Sequence, residues 1–199
     1  MTENAARARR GRGRRPSGEV RQAALAAAGE ILFESGIRHI TFEKVATRAG
    51  VSKMTLYKWW PSPGALALDA YFAATETRLA FEDTGDLRSD LTAQLHSFVD
   101  FLTSAGGGEV VAELVGAAQS DPDLASALNE RYTRPRRALA IELLTAARSR
   151  GQLRAEVDLE SLVDQLWGAC YHRLLLPALP LNRAFADTLV DNLLVGIAP

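Results

Sequence analysis

The chain has 199 residues, 47% of them hydrophobic and 24% charged, which is enough apolar material for a folded core and too much for a disordered protein. A single cysteine, Cys170, excludes an internal disulfide or a cysteine-built zinc site, and three scattered histidines (His39, His96, His172) give no metal spacing. The net charge of −1 conceals a split: residues 1–60 hold 12 Lys and Arg against 5 Asp and Glu, and residues 61–199 hold 11 against 19. A basic head on an acidic body fits a chain that touches nucleic acid at one end only. No run reaches the roughly 18 apolar residues of a membrane span, and the first arginines lead into no apolar signal core, so a cytoplasmic protein without membrane contact is expected.

Taken in order, residues 1–16 form an Arg-rich arm with no hydrophobic periodicity, expected to be disordered alone. Arg12, Arg14 and Arg15 read either as part of a solvated tail or as contacts to phosphates and the minor groove. Ser17–Ser35 is the first helix, with Ser17 as N-cap, an apolar arc from Val20 to Leu32, and Gly36 as its stop. Its role is to brace the pair of short helices beside it.

Thr41 to Trp60, TFEKVATRAGVSKMTLYKWW, reads as two short helices joined by a tight turn. Ala46 lets the helices approach, Gly50 takes the turn, and Val51 and Leu56 fill the angle between them. Thr41 and Ser52 are N-caps, and Glu43 complements the first helix dipole. Lys53, Met54, Thr55, Tyr57 and Lys58 remain outward, side chains suited to phosphates and base edges in a major groove. These residues make a helix-turn-helix within a DNA-binding domain of residues 17–62.

Ser62 caps the next helix, Pro63 occupies its first turn, and the helix is expected to run to about Phe81 without a flexible linker. Asp86–Ser104 is amphipathic. The Gly106–Gly108 triplet lacks the Lys-Ser/Thr of a nucleotide loop and reads as a connection. A short helix over Glu109–Gln119 is followed by a longer one from Asp121-Pro122 to about Arg150, kinked at Pro135. The last two helices are Asp158 to about Leu176, stopped by Pro177 and Pro180, and Leu181–Ile197. Leu166–Leu176 is apolar nearly all round and needs cover on two sides, which a second subunit would supply. The whole chain is all-α, with residues 63–199 forming a ligand-binding and dimerisation domain.

Thr41, Ala49-Gly50-Val51-Ser52, Tyr57, Trp59-Trp60 and Ser62 with Leu66 together resemble the N-terminal domain of the TetR family of bacterial repressors, over about residues 17–70. The resemblance implies a DNA-facing set of Thr41, Arg48, Lys53, Thr55, Tyr57 and Lys58, with Arg48 and Tyr57 on phosphates, and the N-cap Ser52 is counted beside them among the DNA contacts. Two positions depart from the pattern. Met54 stands where the family often has Gly, and Pro63 where a Lys commonly meets a phosphate; Trp59 either replaces that contact through its indole N–H or packs. The resemblance also implies a homodimer through the last two helices, double-stranded DNA with a near-palindromic operator, and an unknown small-molecule effector in the body, with no cofactor. His96, Phe98, Trp167, Cys170 and Tyr171 are the candidate ligand contacts, each equally readable as packing.

No acid/base pair, metal cluster or nucleotide loop suggests an enzyme, and Cys170 and His172, two apart, do not share a helical face for thiol catalysis. Two readings stay open: a repressor released by a small molecule, or a DNA-binding regulator whose body binds a protein. A cavity of mixed aromatic and polar lining favours the first; a filled body with an apolar patch favours the second.

Overall fold

The computed structural model describes residues 16–76, 79–176 and 178–197. Arg12, Arg14, Arg15 and Pro177 lie outside the described residues. Within them every regular element is helical: α1 (Ser17–Ser35), α2 (Phe42–Ala49), α3 (Lys53–Tyr57), α4 (Pro63–Thr75), α5 (Leu87–Thr103), α6 (Gly107–Ala118), α7 (Pro122–Leu128), α8 (Arg134–Ser149), α9 (Leu159–Val163), α10 (Ala169–Leu175) and α11 (Arg183–Ile197).

The head consists of α1, α2 and α3 closed by the start of α4. Ala24, Ala28 and Leu32 of α1 are fully buried with Val45, Leu56 and Leu66. Small residues on α1 let α2 and α4 pack close. α1 begins differently from the expectation: Pro16 is the N-cap, without a side-chain hydrogen bond, and Ser17 is already helical. Val20 N–H closes the first turn on the Pro16 carbonyl at 3.2 Å. A proline suits this position because its φ of −52° leads into the helix.

α4 carries the chain from head to body. Ser62 caps it, accepting from Ala65 N–H at 3.1 Å, and Pro63 sits in its first turn. The helix ends at Thr75, short of the expected Phe81. Thr75 is buried and turns its hydroxyl back onto the Tyr71 carbonyl at 3.0 Å.

In the body, α5 lies along α11, with Asp86 as its N-cap and Leu91, Leu95, Phe98 and Val99 buried. The glycine triplet does more than connect. Gly106 adopts φ 79°, and a Cβ there would lie 2.3 Å from the Phe33 carbonyl of α1. Gly107 and Gly108 are the first residues of α6, with equally tight approaches to the Phe101 and Leu102 carbonyls. Only glycines let α6 start against both α1 and α5.

The long helix after Pro122 does not break at Pro135. It widens into a π turn over Asn129–Thr133 and resumes as α8. Pro135 has no N–H to offer the carbonyl four residues back, so the ladder slips by one residue. A second π turn, Asp164–Gly168, separates α9 from α10. Arg137 of α8 reaches across to α9 and the second π turn, with Nε 3.0 Å from Glu160 and Nη1 2.5 Å from Asp164.

Candidate DNA-contacting surface and body cavity

The turn between α2 and α3 closes as a Schellman-type cap: Gly50 is left-handed (φ 65°, ψ 38°) and Val51 N–H donates to the Ala46 carbonyl at 3.0 Å. Thr41 Oγ1 accepts from Lys44 N–H at 3.2 Å and Ser52 Oγ from Thr55 N–H at 3.1 Å, so both caps are made. Leu56 is fully buried beneath α3, which fixes the opposite side of the short helix outward.

Lys53, Met54, Tyr57 and Lys58 are exposed on α3 and at its end, with Met54 69% and Tyr57 57% accessible. Met54 and much of the Tyr57 ring thus stand open to solvent beside two lysines. The Tyr57 ring is held edge-on to buried Phe42 at 4.5 Å, which aims its hydroxyl away from the core. Thr55 is half-buried and pairs its hydroxyl with Ser52 Oγ at 2.8 Å. Lys53 Nζ stands 3.5 Å from Glu43. Arg48 turns to α1, with Nη1 2.8 Å from Glu34 and 3.8 Å from Glu30, so any phosphate must compete with two carboxylates for it. Trp59 is half-buried and meets Trp60 edge-on at 5.6 Å. Thr41 and Ser52 are exposed at the two cap positions.

Behind this surface is a polar junction that sequence reasoning missed. Asp69, 6% exposed in the otherwise apolar α4, receives Trp60 Nε1–H at 2.9 Å and Arg21 Nη2–H at 3.1 Å. Arg131, from the first π turn, places Nη1 2.5 Å from the other oxygen, a charge contact without hydrogen-bond alignment. A lone acid in ALALDAYF was the available signal, since a buried carboxylate demands partners. A second junction is made by α6: Glu113 Oε2 accepts from Ile37 N–H at 2.7 Å, in the turn that leads into α2.

The body holds three hollows that share the Tyr132 ring as a wall. One, of about 620 Å³, is an open cleft between α1, α4 and α8. Another, of about 320 Å³, lies among Tyr71, Leu114, Leu128, Tyr171 and Leu175. The smallest, about 150 Å³, is lined by Phe81, Phe98, Arg136, Trp167 and Tyr171 and lies between the two π turns. Tyr132 stacks flat on Phe72 at 5.4 Å and receives a weak hydrogen bond from the Tyr71 hydroxyl at 3.3 Å.

Of the five candidate ligand contacts, Phe98, Trp167 and Tyr171 line these hollows. His96 and Cys170 do not. His96 faces the outer seam, its Nε2 2.6 Å from Asp187 of α11, beside the Arg88–Asp191 and Asp100–Arg183 pairs. Cys170 is fully buried in the core, and burial pushes its thiol up to about 11. Spacing put Cys170 next to Tyr171 in the sequence, and adjacent residues on a helix point about 100° apart. Among the described residues no group of three or more His, Cys, Asp or Glu is placed to hold a metal, and no helix is long and apolar enough to cross a membrane.

A capped helix-turn-helix with an exposed basic face, set on a hollow helical body, defines the class of helix-turn-helix transcriptional regulators. Residues 24–70 match the family described as bacterial regulatory proteins of the tetR family, and residues 81–193 match the tetracyclin repressor-like C-terminal domain. The chain is 36% identical to the HTH-type transcriptional regulator YdeS of Bacillus subtilis, over 94% of this chain and 93% of that one. It is 33% identical to the DNA-binding transcriptional repressor TetR of Mycobacteroides abscessus, over 92% and 96%. The crystal structure of the TetR family transcription regulator SCO0332 superposes with a TM-score of 0.83 at 57% identity, covering 91% of this chain and all of that one. The chain therefore belongs to the TetR family of transcriptional regulators, which bind DNA, dimerise and are not enzymes. Members typically bind small-molecule effectors in the C-terminal domain.

Proposed function

We propose that this chain is a homodimeric repressor, acting in the cytoplasm, that leaves a near-palindromic operator when a small molecule occupies the body. The observation that carries this reading is that the helices walling the hollows also hold the head. α4 presents Tyr71 and Phe72 to the hollows and, within the same turn, Asp69 to Arg21 of α1. α6 presents Val111, Leu114 and Val115 to the hollow and Glu113 to the backbone of Ile37. A ligand that displaces Tyr132 or Phe72 pulls on both junctions. It shifts the population only by the difference between its affinities for the DNA-competent and DNA-incompetent arrangements.

On the DNA side, Lys53, Met54 and Thr55 read base edges, and Tyr57, Lys58, Thr41, Ser52 and the arm arginines hold phosphates. Arg48 joins them by exchanging Glu34 for a phosphate, and Trp59 packs. The exposed Leu176 and Leu179, just after α10, and Val195 on α11 support a second copy of the chain as the missing cover. Open hollows lined by aromatic and polar groups favour a small molecule over a body that binds only a protein.

Selection of sheared genomic DNA on the full-length protein, then footprinting of the selected fragments, tests the reading. A protected site with two-fold symmetry and half-sites one helical turn apart, or a multiple of that, is expected. A single asymmetric half-site would contradict the dimer.

A further inference from the structure

We propose that the body takes an organic anion, a carboxylate on a flat apolar frame, whose head pairs with Arg136 and whose frame lies among Tyr71, Tyr132 and Tyr171. The inference deepens the small-molecule reading above and rests on it.

Four arginines stand around the hollows, and three face a carboxylate. Arg21 and Arg131 share Asp69, and Arg137 is held by Glu160 and Asp164. Arg136 is different: among the described residues no carboxylate lies within 4.0 Å of it. Its guanidinium sits over the Phe81 ring, 4.8 Å from the centroid. Its one polar partner of note is Gln94: with the amide nitrogen turned to the Ala80 carbonyl at 2.8 Å, the amide oxygen accepts from Arg136 Nη2 at 2.9 Å. A guanidinium has five N–H donors, so most of its capacity is open to the hollow.

Arg136 is half-buried, and that burial pulls its pKa below the ordinary arginine value, the mark of a cation without a counter-charge. The neighbouring phenols cannot supply one. Burial holds the Tyr71 and Tyr171 hydroxyls well above their usual range, so they stay neutral, and the Tyr71 proton is already given to Tyr132. Arg136 lines the smaller inner hollow, which meets the other along Tyr132 and Tyr171, and an anionic oxygen there takes up the guanidinium donors that no carboxylate occupies. A cationic ligand would have to approach Arg136 itself, and a neutral one would leave its charge unmatched. The flat Tyr132–Phe72 stack and the apolar lining from Leu114, Leu128 and Leu175 suit a planar body.

Calorimetric titration of the full-length protein with naphthoate, naphthamide and naphthylmethylammonium isolates the charge of the head group on one frame. Naphthoate is expected to bind at least about tenfold more tightly than the other two, a difference of about 1.4 kcal/mol. Arg136→Gln should bring naphthoate down to the level of naphthamide while leaving naphthamide unchanged, and Arg136→Lys should restore part of the preference. Equal or tighter binding of the amide or amine, a preference that survives R136Q, or no binding by any of the three would overturn the proposal. The same probes added to the operator complex separate the two ideas. Naphthoate binding through Arg136 without loss of the complex would sink release and spare the anion site; release by the amine alone would do the opposite.

Discussion

Asp69 shows how one side chain joins two parts of a molecule. Its carboxylate takes Trp60 of the head, Arg21 of α1 and Arg131 of the body at once. Asp69→Asn keeps the shape but removes the charge that both arginines face. We expect a stability loss of about 1–3 kcal/mol in urea denaturation, and an unchanged midpoint would show that the junction is decorative. Cys170 makes the opposite kind of prediction. With its thiol buried and pushed up to about 11, it should resist iodoacetamide in the native protein at pH 8 and react once unfolded. Rapid native labelling would mean the core opens readily. At this scale the sequence was legible where chemistry is local: Thr41, Gly50, Ser52 and Ser62 cap or turn as their residue types demand. It was not legible where partners are distant in the chain, as with Arg48 and Glu34, or His96 and Asp187. Nothing in the local pattern around either residue names its partner.

Helix starts and stops matched the sequence where a cap or a glycine is decisive, and departed from it where tertiary contacts decide. The Gly106–Gly108 triplet read as a plain connection because its cause, the carbonyls of Phe33, Phe101 and Leu102, belongs to packing. Gly106→Ala combines a positive φ with a backbone clash, so a loss of at least about 1–2 kcal/mol is expected in thermal or urea unfolding. Gly29→Ala is the contrasting case: it lies inside α1 with nothing within 4 Å of the added methyl. It should stabilise by about 0.4–1 kcal/mol. Reversed signs would contradict the packing described at both positions. The helix expected to kink at Pro135 carries a π turn just before it, because a proline can shift the hydrogen-bond ladder without ending the helix. That shift carries Tyr132 to the place where all three hollows meet.

For the molecule as a whole, the charge split and the helical periodicities mark a DNA-binding head and an all-α body in the sequence itself. The hollows were beyond reach, since a pocket is the space that several helices leave together and no single stretch encodes it. Leu179→Glu with Val195→Glu, both on exposed apolar positions, should convert a dimer to a monomer in sedimentation and reduce operator affinity at least tenfold. A dimer that persists would place the interface elsewhere. The most direct test of the central claim is a mobility-shift titration against the DNA flanking this gene, with random DNA as competitor, at two salt concentrations. A discrete dimer-sized complex that survives the competitor is expected, with Tyr57→Phe weakening it and Lys53→Ala costing about 1–3 kcal/mol on the operator and less on random DNA. Binding that salt abolishes and the competitor shares equally would contradict a sequence-specific regulator acting at this site.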